Sequence, residues 1–125
     1  MEAALLKAKT ALVTGGARGI GRSICQMLAE QEARVAINYQ NNKTAAQETY
    51  SLVENTAEKA MIIQADVSCE TDVCRMINAV DEQLGPVDLL VNNAGIANSV
   101  SHTELNFMDW KRTVSYTHLR AHETE

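Results

Sequence analysis

Apolar positions along this chain follow two spacings in alternation. Short aliphatic or β-branched runs at Thr10–Val13, Val35–Ile37, Met61–Gln64 and Leu89–Val91 have the length and composition of buried strands. Between them, apolar residues recur at steps of three and four. Ile20, Ile24, Met27 and Leu28 predict one face of a helix from Ile20 to about Gln31. A weaker pattern predicts a second helix from Thr44 to about Ala57. Val73, Met76, Ile77, Val80 and Leu84 form the stripe of a third, which Gly85-Pro86 stops. Ser68 is placed to cap that helix, and Thr71-Asp72 strengthens its first turn. Strands alternating with helices imply right-handed βαβ units and a parallel sheet. The expected fold is α/β, the amino-terminal half of a doubly wound sheet with strand order 3-2-1-4.

The first strand runs into Thr14-Gly15-Gly16-Ala17-Arg18-Gly19-Ile20-Gly21. A strand, a glycine-rich turn and a helix in that order make a phosphate-binding device. The turn lets backbone approach an anion, and the helix turns its free N–H groups toward it. The spacing is T-G-x-x-x-G-x-G, not the dinucleotide fingerprint G-x-G-x-x-G. A P-loop is the rival. Gly16 to Ser23 fits G-x-x-x-x-G-K-S except that Arg22 stands where lysine belongs. Arginine is a planar fork, and a P-loop needs the compact point charge of lysine at its phosphates. An ordinary strand-to-helix turn is the bland alternative.

A second motif narrows the choice. Val87-Asp88-Leu89-Leu90-Val91 is a strand that ends in Asn92-Asn93-Ala94-Gly95, and Gln64-Ala65-Asp66-Val67 is another strand end between the two motifs. With the glycine turn, these segments resemble the short-chain dehydrogenase/reductase family from about Lys9 to about Arg112. Within it, the chain looks most like the 3-oxoacyl-carrier-protein reductase branch and its acetoacetyl-CoA and sugar-alcohol relatives. The resemblance implies a Rossmann domain and hydride transfer between a nicotinamide dinucleotide and a small carbonyl or alcohol substrate. It implies that Gly15, Gly19 and Gly21 form the pyrophosphate turn, with Ile20 buried beneath it. Asp66 would meet the adenine through its side chain, and Val67 through backbone and packing. Asn93, Ala94 and Gly95 would floor the ribose and nicotinamide side, while Asn92 braces the fourth strand. A helix-terminal carboxylate is the alternative role for Asp66.

The residues also speak to the choice of cofactor. Sites that prefer NAD place a carboxylate after the second strand to hold the ribose 2′-hydroxyl. Here that place holds Asn38-Tyr39-Gln40, and Arg18 in the glycine turn can pair with a 2′-phosphate. Both features favour NADP over NAD. Against the family pattern, Glu32 and Glu58 stand near helix ends where glycine is usual, which predicts less comfortable turns.

Composition adds bounds. A chain of 125 residues is one domain or less, and 46% hydrophobic residues suffice for a buried core. A net charge of −5 offers no basic patch for nucleic acid, and no apolar run reaches membrane-spanning length. The amino terminus lacks the charge order of a secretory signal. Cys25, Cys69 and Cys74 fall on helical patterns without metal-ligand spacing, so reduced, partly buried thiols of a cytoplasmic protein are expected.

From Val114 to Thr124 the sequence departs from the family and resembles the one-frame translation of an adaptor used to build DNA libraries. Residues 1–113 then form a partial NAD(P)-binding domain, and residues 114–125 an adaptor-derived tail. The resemblance places a catalytic serine and a Tyr-x-x-x-Lys well after Asn-Asn-Ala-Gly, and the sequence carries neither there. Tyr39 to Lys43 spells that pattern at the adenosine end of the expected site, and Tyr116 to Arg120 imitates it in the tail. Neither is assigned catalysis. His118 and His122, one helical turn apart, lack a third metal ligand, and His102 reads as a surface histidine. The expected parent is an oxidoreductase, commonly a homotetramer in this family. The alternative is a stand-alone nucleotide-binding module.

Overall fold

The computed structural model describes residues 5–93. Four parallel strands, β1 (Thr10–Thr14), β2 (Arg34–Tyr39), β3 (Lys59–Gln64) and β4 (Val87–Asn92), form one sheet in the order β3-β2-β1-β4. They alternate with α1 (Gly19–Glu30), α2 (Lys43–Val53) and α3 (Glu70–Leu84). The expected half of a doubly wound fold is present, with its strand order.

The sheet divides the core in two, as side chains that alternate along a strand require. Ala11 and Val13 of β1 join Val35 and Ile37 of β2 on one face, under Cys25, Leu28 and Ala29 of α1 and Val53 of α2. Leu12 and Ala36 point the other way, against Val73, Met76, Ile77, Val80 and Leu84 of α3. The α3 stripe is the one the spacing predicts. At its end Gly85 has φ 107° and donates its N–H to the Val80 and Asp81 carbonyls.

Half of the expected α1 face holds: Leu28 is buried and Ile24 packs against the core. Gly21, Cys25, Leu28 and Ala29 are its buried residues, while Ile20 and Met27 are 65% and 56% exposed. The small residues face inward because α1 packs close against the glycine turn, where Cys25 lies under Gly16. Glu32 takes φ 64°, the left-handed turn that the missing glycine predicts, and its N–H donates to the Ala29 carbonyl at 2.8 Å. Glu58 needs no such conformation. Its N–H donates to Ala33 O and its carboxylate receives the Ala8 N–H and pairs with Arg34. Helix α2 ends at Val53, four residues before the predicted Ala57, and closes with a turn in which Ala57 N–H donates to Val53 O.

Strand β4 meets β1 through an irregularity. Thr10 pairs with Val87 and Ala11 with Leu89, which leaves Asp88 between them. The Asp88 carboxylate accepts the Thr10 N–H at 2.9 Å, so the donor stays satisfied where the ladder slips.

Candidate functional site

The candidate residues gather at the carboxyl ends of the strands, centred between β1 and β4, where the strand order reverses. That is where an open α/β sheet leaves a crevice for a ligand. Gly15 and Gly19 have φ of 64° and 62°, which turns the chain sharply from β1 into α1. Gly21 answers to a different demand. A Cβ there would strike the Gly15 carbonyl and come within 2.8 Å of Asn93 Nδ2. Helix and turn can approach this closely only without a side chain.

The two peptide groups that flank the Gly15 Cα are each held by an asparagine side chain. Asn38 Oδ1 accepts the Gly15 N–H at 3.2 Å, and Asn93 Nδ2 donates to the Gly15 carbonyl at 3.0 Å. Asn38 is 2% exposed. Its Nδ2 donates to the Ile63 and Ala65 carbonyls at the end of β3, and its backbone carbonyl accepts the Gly16 N–H. The amide is thus committed to the protein, and it supports the glycine turn. Tyr39 is half-buried against Ala17, Ala45 and Ala46, and Gln40 is exposed. Asn92 Oδ1 accepts the Thr14 hydroxyl at 3.0 Å, the bracing of β4 against its neighbour that the resemblance implies.

Helix α1 opens without a cap. Arg18, exposed and extended at φ −160°, makes no capping hydrogen bond, and the first turn holds no acidic residue. The first N–H groups of the helix therefore have no partner within it, and its positive end carries no built-in counter-charge. Ile20 does not lie beneath the turn. It is exposed at the mouth of the helix, a correction to the buried position that the resemblance implies.

At the end of β3, Asp66 holds a local turn. Its Oδ1 accepts the Ser68 hydroxyl at 2.6 Å and the Ser68 N–H at 2.9 Å. The hydroxyl bond first, and the N–H bond second, keep the carboxyl below the usual carboxylate range. Ser68 accordingly is not the cap of α3. Cys69 takes that place, and makes no side-chain cap. Asp72 in the first turn reaches back to accept the Asp66 N–H at 2.9 Å. Val67 is half-buried at the edge of the α3-side core.

Cys69 is exposed at the start of α3 rather than within the helix, whereas Cys25 is buried and desolvation pushes its thiol up to about 12. Among the described residues no group of His, Cys, Asp and Glu could hold a metal ion, and no helix is long and apolar enough to cross a membrane. Ala94, Gly95, His102 and the tail with Tyr116, His118, Arg120 and His122 lie outside the described residues. A shallow groove lined by Tyr50, Glu54, Lys59, Ala60, Gln83 and Leu84 sits by the amino end of β3, away from the glycine turn.

Two supports of the site were not legible as such: Thr49 and Arg22. Thr49 looks like a polar position on a weak helix, yet it is fully buried with its hydroxyl on the Ala17 carbonyl at 2.7 Å. Arg22 looks like a failed P-loop lysine. No local signal marks either, because their partners lie on other elements.

Known proteins resemble this chain in sequence and in fold. The short chain dehydrogenase family pattern matches residues 9–119. The uncharacterized oxidoreductase YgfF of Escherichia coli is 50% identical over 86 residues, which are 69% of this chain and 35% of that protein. The short-chain dehydrogenase/reductase homolog YusS of Bacillus subtilis is 43% identical over 97 residues, 78% of this chain and 89% of that protein. The 3-oxoacyl-[acyl-carrier-protein] reductase FabG of Staphylococcus epidermidis is 41% identical over 102 residues, 82% of this chain and 42% of that protein. Among solved structures, a dehydrogenase/reductase from Sinorhizobium meliloti 1021 superposes with a TM-score of 0.69 at 40% identity, over 73% of this chain and 36% of its own. The chain thus spans about a third of the length of the Escherichia coli relative and most of the length of the Bacillus subtilis one. The chain belongs to the short-chain dehydrogenase family.

Proposed function

We propose that this chain is the dinucleotide-binding part of an NADP(H)-dependent oxidoreductase that reduces a small carbonyl or 3-oxoacyl thioester, or runs the reverse oxidation of an alcohol. The observation that carries the reading is the uncapped amino end of α1 behind a glycine turn that two asparagines hold open at the reversal of strand order. A side chain cap or an acidic first turn would compete with a pyrophosphate there, and neither is present. A Cβ at Gly19 would meet nothing within 4 Å, so the turn faces open space on that side. The residues fit the group.

In this reading the N–H groups of Gly19, Ile20 and Gly21 face the pyrophosphate, and exposed Ile20 shields it from water. The side chains of Tyr39 and Arg18 flank the adenosine ribose. Arg18 supplies the charge for a 2′-phosphate, and Asn38-Tyr39-Gln40 supplies none to repel it. Asp66 and Val67 border the adenine. Asn93, Ala94 and Gly95 line the ribose and nicotinamide side. The bound cofactor carries the hydride; the chain binds and orients it. A general acid must protonate the substrate oxygen, and no Tyr-x-x-x-Lys follows Gly95 in the sequence. The chain as written therefore binds without turnover, and the parent is a cytoplasmic homotetramer.

The test is a titration of the 125-residue chain with NADPH and with NADH, repeated with Arg18→Glu. NADPH should bind more tightly, and the substitution should weaken NADPH by about 1–3 kcal/mol while affecting NADH less. Equal losses for both would remove Arg18 from the 2′-phosphate. NADPH oxidation with an acetoacetyl thioester above the enzyme-free rate would contradict the lack of turnover.

One observation favours the second reading, a stand-alone nucleotide-binding module. The Bacillus subtilis relative is covered over 89% of its length, so a family member of similar extent exists. Sequencing the source DNA past the codon for Arg112 separates the two readings and tests the adaptor origin of residues 114–125. A serine and Tyr-x-x-x-Lys downstream would support the oxidoreductase.

A further inference from the structure

Arg22 occupies the position at which a P-loop would carry its phosphate-binding lysine, and the dinucleotide reading leaves it without a task. Its guanidinium turns toward α2 and the underside of the glycine turn. Nε–H donates to Thr49 Oγ1 at 2.9 Å. Nη2 donates to the Ala17 carbonyl at 2.8 Å and to the Ala45 carbonyl at 3.1 Å. Thr49, fully buried, donates its hydroxyl to the same Ala17 carbonyl at 2.7 Å. One carbonyl in the middle of the turn therefore accepts two side-chain hydrogen bonds, one of them charge-assisted. The outer ion pair from Nη2 to Glu48, at 3.2 Å, adds little because Glu48 is 62% exposed.

We propose that Arg22 and Thr49 form a clamp that orients the Ala17–Arg18 peptide and so positions the glycine turn for a dinucleotide phosphate. The positioning role rests on the proposed function. A trans peptide is planar, with its C=O and N–H opposed. Holding the Ala17 carbonyl toward α2 therefore directs the Arg18 N–H away from α2, to the side on which an anion can approach the turn. It also sets where the Arg18 side chain leaves the backbone. The clamp joins three elements with one group: Arg22 from α1, Ala17 from the turn, and Ala45 with Thr49 from α2. Lysine cannot replace this arginine. Its single nitrogen on a flexible stem cannot present donors to Thr49, Ala17 and Ala45 in one fixed plane. The residue that spoils the P-loop pattern is the one that builds this turn.

The experiment compares the 125-residue chain with R22M, R22K, T49V and T49S. Two readouts are needed: amide exchange at residues 15–20 against β2 and β3, and the dissociation constant for NADPH. R22M and T49V should speed exchange in the turn about tenfold while β2 and β3 hold, and should weaken NADPH about tenfold. T49S keeps the hydroxyl and should restore both readouts to within about threefold; R22K should not. An unchanged turn, or an equal rise in exchange across the whole sheet, overturns the clamp. If R22M does not fold, the T49V and T49S pair decides the same question. NADPH affinity that survives a loosened turn overturns the positioning role alone. Failure of the unsubstituted chain to bind either dinucleotide overturns the functional reading, and the positioning role with it.

Discussion

Strands β1 and β4 are neighbours with similar apolar content, TALVT and VDLLVN, yet they live in different surroundings. Every residue of β1 is buried. It has β2 on one side and β4 on the other, with α1 and α3 residues on its two faces. β4 pairs only with β1 among the described residues, and Asp88 and Leu89 are exposed. The contrast shows that an apolar run specifies a strand but not its burial. Burial follows from how many neighbours the strand has, and those come from elsewhere in the chain. The glycine turn sits at the end of the well-supported strand, and its supports reach in from β2, β4 and α2.

The comparison can be broken most directly by truncating one leucine in each strand. Leu12→Ala removes a side chain with no exposure and should cost about 2–5 kcal/mol in urea unfolding. Leu89→Ala, at a site 37% exposed, should cost about 1 kcal/mol or less. Equal costs would mean that β4 is as enclosed as β1.

The two asparagines on Gly15 sharpen it further. Asn38→Ala strands the part-buried Gly15 N–H and the Ile63 and Ala65 carbonyls and should cost about 1–3 kcal/mol. Asn93→Ala removes one bond from the less buried β4 side and should cost about 0.5–1.5 kcal/mol. Reversal of that order in paired denaturation curves would place the firmer support on β4.

Thiol chemistry gives a smaller signal. Cys25, beneath the β1 turn, should resist iodoacetamide while exposed Cys69 reacts. Burial pushes the folded Cys25 thiol up from the ordinary 9.0 to about 12. A raised pKa contributes stability that is complete below 9.0 and is lost as pH rises toward about 12. The slope in that window should be up to about 1.4 kcal/mol per pH unit, and Cys25→Ala should abolish it. An alkaline slope that survives the substitution would assign it elsewhere.

The smallest effect on stability belongs to Leu89→Lys, within about 0.5 kcal/mol. Its effect on association should be plain. Among the described residues β4 is paired on one side only; an open strand edge is a template for another copy, and a lysine on it opposes pairing. Sizing chromatography should show the unsubstituted chain as oligomers and the variant shifted toward monomer. A monomeric unsubstituted chain would show that this edge is harmless.

Much of the fold was legible because its signals are local. The spacing of Val73 to Leu84 found α3 and its face, and Gly85-Pro86 found its end; of the two uncomfortable turns expected at Glu32 and Glu58, only Glu32 has a positive φ. The site was legible in outline for the same reason. A glycine turn between strand and helix, and Asn-Asn-Ala-Gly at a strand end, are short patterns. What failed was part of the assignment of the α1 face, and the cap of α3. Ile20 and Met27 obey the helical spacing but lie outside, because the packed face of α1 is chosen by its approach to the turn. Ser68 has the right chemistry for a cap but is drawn to Asp66.

By itself, then, the sequence determined where strands and helices form, their order and the place of the glycine turn, since each rests on contacts within a few residues. The tertiary structure alone decided that Asn38 turns inward to Gly15 and that Arg22 turns toward α2. It likewise decided that Asn93 reaches across 78 residues of chain to the Gly15 carbonyl. A polar side chain takes the partners that folding brings within hydrogen-bond reach. Those partners are distant in sequence, so no local pattern encodes them.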